Sequence, residues 1–288
     1  MRLPVSGVPA ARNFQRSTSN FQRLLVLPAK NHRLSVHRII TTTGMTAPFH
    51  RLIVALALGL GSAISHGAVY DLTADWSDSA NPNGTWSYRE GANALPQVNS
   101  WQSELGGWAM PQPGWAESEN GNDRLPFWFK SNGSETFPRD FLVGDIVVHT
   151  TDNGSGIGNG FANVTWTSPF AGTADLSGGV WLGREIGRGN HWRLTVNGVT
   201  ISEGDVLTGD IYNRANPFNF SLGTGGASVL QHVPVSVGTV VGLQFEKTST
   251  FGEFVGVKLV VNVPEPSSLL LLGAGLGMMC GRRRPSGQ

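Results

Sequence analysis

Leu194-Thr195-Val196-Asn197-Gly198-Val199-Thr200-Ile201 decides the fold class. Two alternating apolar and polar runs meet at Asn-Gly, the preferred two-residue hairpin turn, because both central positions need a positive φ that Asn and Gly reach at least cost. Downstream, residues 218–222, 232–237, 240–246 and 254–261 read as further strands. In the last two, Val241, Leu243 and Phe245, then Val255, Val257, Leu259 and Val261, each line one face at period two. Upstream lie 69–74, 85–88, 127–130, 145–150, 162–167 and 172–182, punctuated by turns such as Asn81-Pro82-Asn83-Gly84. Residues 91–125 read as loop, carrying Trp101, Trp108 and Trp115 among Pro and Gly. No convincing 3.6-residue periodicity occurs in the stretch. About ten short strands with turn punctuation predict an all-β domain, an antiparallel β-sandwich of jelly-roll type.

Charge divides the chain of 288 residues into three parts. Residues 1–68 hold eight of the 21 Lys/Arg and none of the 20 Asp/Glu, and the tail adds three arginines and one acid. Ten cations and 19 acids remain between them, so the sandwich is near −9. A nucleic-acid partner bound through a basic face is disfavoured by that balance. The one cysteine, Cys280, lies in the apolar tail, which excludes an intramolecular disulfide and a Cys nucleophile in the domain.

Residues 1–44 are Arg-rich and acid-free, and read as an unstructured extension upstream of a second start at Met45. From Met45, a basic Arg51, the apolar run LIVALALGLGSAI and the small residues Ser65, Gly67 and Ala68 form the three regions of a signal peptide, 45–68, with cleavage expected between Ser65 and Val69. The β-sandwich then occupies 69–262 and the tail 263–288. The tail opens with Val263-Pro264-Glu265-Pro266, where the two rings refuse helix and hold the backbone extended. An uncharged run follows over residues 269–281, then Arg282-Arg283-Arg284. As a helix that run reaches roughly 20 Å at ~1.5 Å per residue, a short transmembrane span for a ~30 Å hydrocarbon core. Positive flanks at Arg51 and at Arg282 to Arg284 place both ends in the cytoplasm and the sandwich outside.

In that order the tail resembles the carboxy-terminal sorting tail of bacterial PEP-CTERM proteins. The resemblance implies an exosortase that reads Pro264-Glu265-Pro266 and cuts close by, with signal peptidase acting at the leader and the membrane holding the tail before cleavage. The Asn81-Pro82-Asn83-Gly84-Thr85-Trp86-Ser87-Tyr88 segment and the Trp166-Thr167-Ser168-Pro169 segment resemble a group of secreted proteins with the same tail.

Chemistry is sparse in the domain. The loop 154–160 is rich in glycine, but a strand follows it where a phosphate cradle needs a helix. Asp152-Asn153-Gly154-Ser155-Gly156 offers oxygens to calcium without the spacing of an EF-hand, and no other cofactor or metal is expected. His149, His191 and His232 are scattered, with no zinc-type spacing. Glu117, Glu119 and Asp123 form an acidic loop cluster of the kind a glycosidase pair could use. All nine Trp lie between residues 76 and 192. Exposed Trp faces stack on sugar rings, while buried ones fill cores. The trio Trp101, Trp108 and Trp115 is therefore the candidate platform for extracellular polysaccharide. The expectation is a non-enzymatic exported sandwich of the cell envelope or extracellular matrix, structural or glycan-associated. A glycan-active hydrolase on a jelly roll is the alternative.

Overall fold

The computed structural model describes residues 67–103, 106–117, 125–152 and 160–264. The extension at 1–44, the signal segment up to His66 and the tail from Glu265 lie outside the described residues, and so do the two terminal helices expected there. Among the described residues no helix is long and apolar enough to cross a membrane.

The strands are β1 (Ala68–Asp71), β2 (Trp86–Glu90), β3 (Asn93–Ala94), β4 (Gln97–Trp101), β5 (Gln112–Trp115), β6 (Phe127–Lys130), β7 (Ile146–His149) and β8 (Ala162–Thr167). They continue as β9 (Gly172–Leu182), β10 (Gly189–Val196), β11 (Val199–Leu207), β12 (Phe218–Asn219), β13 (Val233–Val235), β14 (Val240–Lys247) and β15 (Phe254–Val263). Two antiparallel sheets result. The larger has nine strands, with a main path β12-β9-β15-β7-β6-β5-β4, and β1 and β13 added on β15 and β9. The smaller has six in the order β11-β10-β14-β8-β2-β3. The chain crosses between sheets at β1–β2, β3–β4, β7–β8, β8–β9, β9–β10, β11–β12, β13–β14 and β14–β15.

The hairpin expected at Asn197-Gly198 joins β10 to β11, and both turn residues have positive φ, 49° and 80°. The core between the sheets takes Val255, Val257, Leu259 and Val261 from β15 and Val241, Leu243 and Phe245 from β14, the two faces visible in the sequence. Trp86, Tyr88, Trp166 and Trp192 join them from the smaller sheet.

Part of the larger sheet is buried on both faces. In β6, Trp128 points into the inter-sheet core while Phe127 and Phe129 enter a second cluster with Val98, Trp101, Phe141, Val147 and Phe254. The uninterrupted apolar runs Phe127-Trp128-Phe129 and Ile146-Val147-Val148 are the sequence mark of such strands.

The stretch read as loop at 91–125 holds three strands, β3, β4 and β5. Two features hide them. A register irregularity between Val98 and Trp101 breaks the period-two pattern of β4. In β5, Pro113 and Gly114 resemble turn residues, yet Gly114 is there because the chain comes close: a Cβ would stand 2.3 Å from the Phe127 ring and 2.5 Å from the Trp128 carbonyl oxygen. A Gly114→Ala variant should lose about 1–3 kcal/mol of stability, as overpacked sites do, and lower the urea midpoint without changing its slope.

Candidate functional site

Because neighbouring strands are antiparallel, the end of β7, the end of β9 and the start of β15 fall at one pole of the larger sheet. His149 pairs directly with Phe254 across β7 and β15. Gly183, just past β9, donates its N–H to the Phe254 carbonyl at 2.7 Å. The turn between β9 and β10 then carries Arg184 and Arg188, and the turn before β5 carries Trp108. Together they enclose a cavity of about 510 Å³ lined by Trp108, Phe137, Phe251, Arg184, Arg188 and Asp152, with Trp101, His149 and Phe254 among its other walls.

Aromatic rings make most of the wall. Phe137 and Phe254 stack at 5.1 Å with 20° between planes. Trp108 meets Phe137 edge-on at 5.2 Å and Trp101 at 4.9 Å. The indole N–H groups of Trp101 and Trp108 are fully buried and have no acceptor among the described residues. The Arg184 guanidinium lies 4.9 Å from the Phe137 ring centre and that of Arg188 5.0 Å from Phe251, both within cation–π range. Phe251 itself is half exposed at 50%.

Behind the wall sits Glu253, completely buried. One carboxyl oxygen accepts the Phe254 N–H at 2.8 Å and lies 3.3 Å from Arg184 Nε. The other, Oε2, has no hydrogen-bond partner among the described residues. Burial pushes the Glu253 carboxyl above its usual range, against the pull of the Phe254 N–H and Arg184. Burial likewise lowers His149 to about 4, and Arg184 and Arg188 add to that while Asp152 opposes it. His149 Nδ1 lies 2.7 Å from the Thr150 carbonyl, a geometry that puts the proton on Nδ1. The segment at 251–253 is held by Asp152, whose Oδ1 accepts the Gly252 N–H at 2.6 Å, and by Arg188, which donates to the Gly252 carbonyl at 2.9 Å.

The tryptophan trio does not form one platform. Trp101 is 2% exposed in the second core, one face stacked on Phe127 at 3.8 Å. Trp115 is equally buried in the inter-sheet core, parallel to Tyr88 at 6.1 Å, its indole N–H on the Ser77 carbonyl. Their strands, β4 and β5, fold these rings inward, and only Trp108, on a turn, keeps part of its surface. His191 lies instead on the smaller sheet between Asp205 and Glu203, and His232 lies 3.6 Å from Asp175. Among the described residues no group of three or more His, Cys, Asp or Glu is placed to hold a metal. Glu119, Asp123 and the loop 153–159 lie outside the described residues, as do Glu265, Pro266 and Arg282 to Arg284. Val263 closes β15, paired with Ala68, and Pro264 follows it.

Arg184, Arg188, Phe137 and Glu253 were not singled out from sequence. The available signal was weak: Arg184-Glu185-Ile186-Gly187-Arg188 is a charged turn, and Gly252-Glu253-Phe254 puts an acid at the mouth of an apolar strand.

Residues 262–284 match the family model of the PEP-CTERM protein-sorting motif. The chain therefore carries the sorting signal of exported, exosortase-processed proteins, and the match begins inside the last two residues of β15. No curated protein matches the chain.

Two measurements check this site. Trp101→Ala should cost about 3–5 kcal/mol, as for large core truncations, and a denaturant titration reads it. His149 sets an acid limit. Its folded value of about 4 lies below the ordinary 6.5, so the unfolded chain binds the proton first as pH falls. Its stabilisation is full above about pH 6.5 and is lost through the window down to about pH 4. Glu253, raised, contributes in the opposite sense, so the comparison is with His149→Gln. Between about pH 7 and about pH 4.5 that variant should lose less stability than wild type, by up to roughly 3 kcal/mol at ~1.36 kcal/mol per pKa unit.

Proposed function

We propose that this is an exported, exosortase-sorted β-sandwich of the cell envelope or extracellular matrix that holds polysaccharide without cleaving it. In this reading a signal helix at 45–68 and a short membrane helix in the 263–288 tail flank a jelly-roll-like domain during export. One observation supports the reading above others: β15 runs from the cavity to the sorting motif. Its ten residues, Phe254 to Val263, extend about 30 Å at ~3.3 Å per residue. The cavity thus opens at the pole opposite the tail junction. Ala68 of β1 pairs with Val263, so leader junction and tail junction lie side by side. A protein tethered there presents its aromatic cavity away from the membrane.

The hydrolase reading has one observation in its favour, the buried Glu253 with its raised carboxyl near a cavity. Glu253 is covered on all sides, however, and a glycosidase acid must reach the glycosidic oxygen. Reducing-sugar release from a polysaccharide panel separates the two readings; release abolished by Glu253→Gln would favour the enzyme.

Intact mass of the surface protein tests the sorting. The mature chain should begin no later than Ala68, since β1 starts there, and should lack Met278 and Met279. Glu265→Ala should keep the tail and accumulate in the inner membrane. A wild-type surface protein that retains both methionines would make the tail a plain anchor.

A further inference from the structure

We propose that the cavity at the β7–β9–β15 pole takes an acidic sugar, with the ring on Trp108 and Phe251 and its carboxylate on Arg188. This rests on the polysaccharide-holding reading and names the class of glycan.

Three features carry it. The first is shape: a cavity of about 510 Å³ accommodates a sugar ring or two, and its walls are flat aromatic faces of the kind sugar rings stack on. The second is unspent hydrogen-bonding capacity. A guanidinium has five N–H donors in a fixed fork matched to a carboxylate, and Arg188 places one on the Gly252 carbonyl. The third is the accounting of charge. Two acids accompany the two arginines. Glu253 is wholly buried and engaged with Arg184 and the Phe254 N–H, out of reach of a ligand. Asp152 is committed through Oδ1 to the Gly252 N–H. A ligand entering the cavity therefore meets the Arg188 guanidinium, with the Asp152 carboxylate on the same wall.

The domain as a whole opposes this, being near −9. Distance decides between the two effects. At physiological ionic strength the screening length is about 8 Å, so acids elsewhere on the sandwich are damped while a guanidinium in contact with a carboxylate is not. A neutral sugar would leave the Arg188 fork facing water or an unmatched hydroxyl. A sugar carboxylate matches it in charge and in shape.

The test compares binding of full-length protein in detergent to three acidic oligosaccharides, a galacturonan, a mannuronan and a glucuronate-containing polymer. Each is paired with its carboxyl-reduced form, in which only the acid group has become a neutral hydroxymethyl. Neutral glucans and galactans complete the set. At least one uronate should bind about tenfold or more tighter than its reduced counterpart, the increment of one charge-assisted hydrogen bond. Arg188→Gln should remove that preference, Arg188→Lys should retain part of it, and Trp108→Ala should weaken acidic and reduced forms alike. Thermal melts of each variant show that the fold is intact, and a melted Arg188→Gln leaves the wild-type comparison and Arg188→Lys to decide. Equal affinity for uronate and reduced forms, or binding of neutral glycans alone, overturns the acidic class while the polysaccharide reading stands. Binding of no glycan in the set overturns both.

Discussion

Strand β15 is the constraint on which the rest of the sandwich depends. It is hydrogen-bonded along one edge to β9 over Val255 to Asn262, and along the other to β7 and then β1. Val255, Val257, Leu259 and Val261, all nearly inaccessible, seat it in the inter-sheet core, and Phe254 turns the opposite way into the second core. A strand paired on both edges, with one face in the inter-sheet core and Lys258 and Asn262 exposed on the other, has little freedom to shift, since a one-residue slip would send every side chain to the wrong face. What lies at its two ends, the cavity and the first residues of the sorting match at Asn262 and Val263, is therefore held at a fixed separation.

The second core explains why the domain needs so many aromatic residues. A sandwich of two sheets buries only their facing sides, and the outer side of the larger sheet would be left apolar by Phe127, Phe129 and Val147. The segments around β4 and β5, together with Phe137 and Phe141, cover it. Ring contacts knit the cover: Trp101 on Phe127, Phe127 on Phe129, and Phe137 on Phe254. Aromatic pairs in such offset and edge geometries contribute beyond their buried area. The cavity lies where this cover reaches the pole of the sheet, and there its rings turn from packing against one another to lining open space.

Electrostatics at the pole follows from that burial. Glu253 sits in a place where an isolated carboxylate would be costly, and Arg184, itself lying over Phe137 and Phe254, is the counter-charge that accompanies it. His149, buried against Phe254 at 4.4 Å, is held neutral by the same apolar surroundings. A carboxyl raised and an imidazole lowered are both consequences of taking charge out of water. They need no catalytic purpose to account for them.

The sequence alone determined the class of fold, the principal strands and the tail. Asn197-Gly198 requires positive φ at two successive residues, and the period-two faces of β14 and β15 require a sheet on one side; both are local demands that any observer of the chain can read. The sorting tail is equally local, a proline pair, an apolar run and three arginines in order. What only the tertiary structure decided is which of the three loop tryptophans keeps exposed surface. Trp101, Trp108 and Trp115 look alike in a Pro- and Gly-rich stretch, but β4 and β5 turn the first and last inward, and that pairing depends on a register irregularity at Val98 and on Gly114 yielding to the Phe127 ring. The cavity is less legible still. Its walls come from residues 101 to 254, brought together because antiparallel β7, β9 and β15 end at one pole, and a contact made across 150 residues of chain leaves no periodic trace in the sequence.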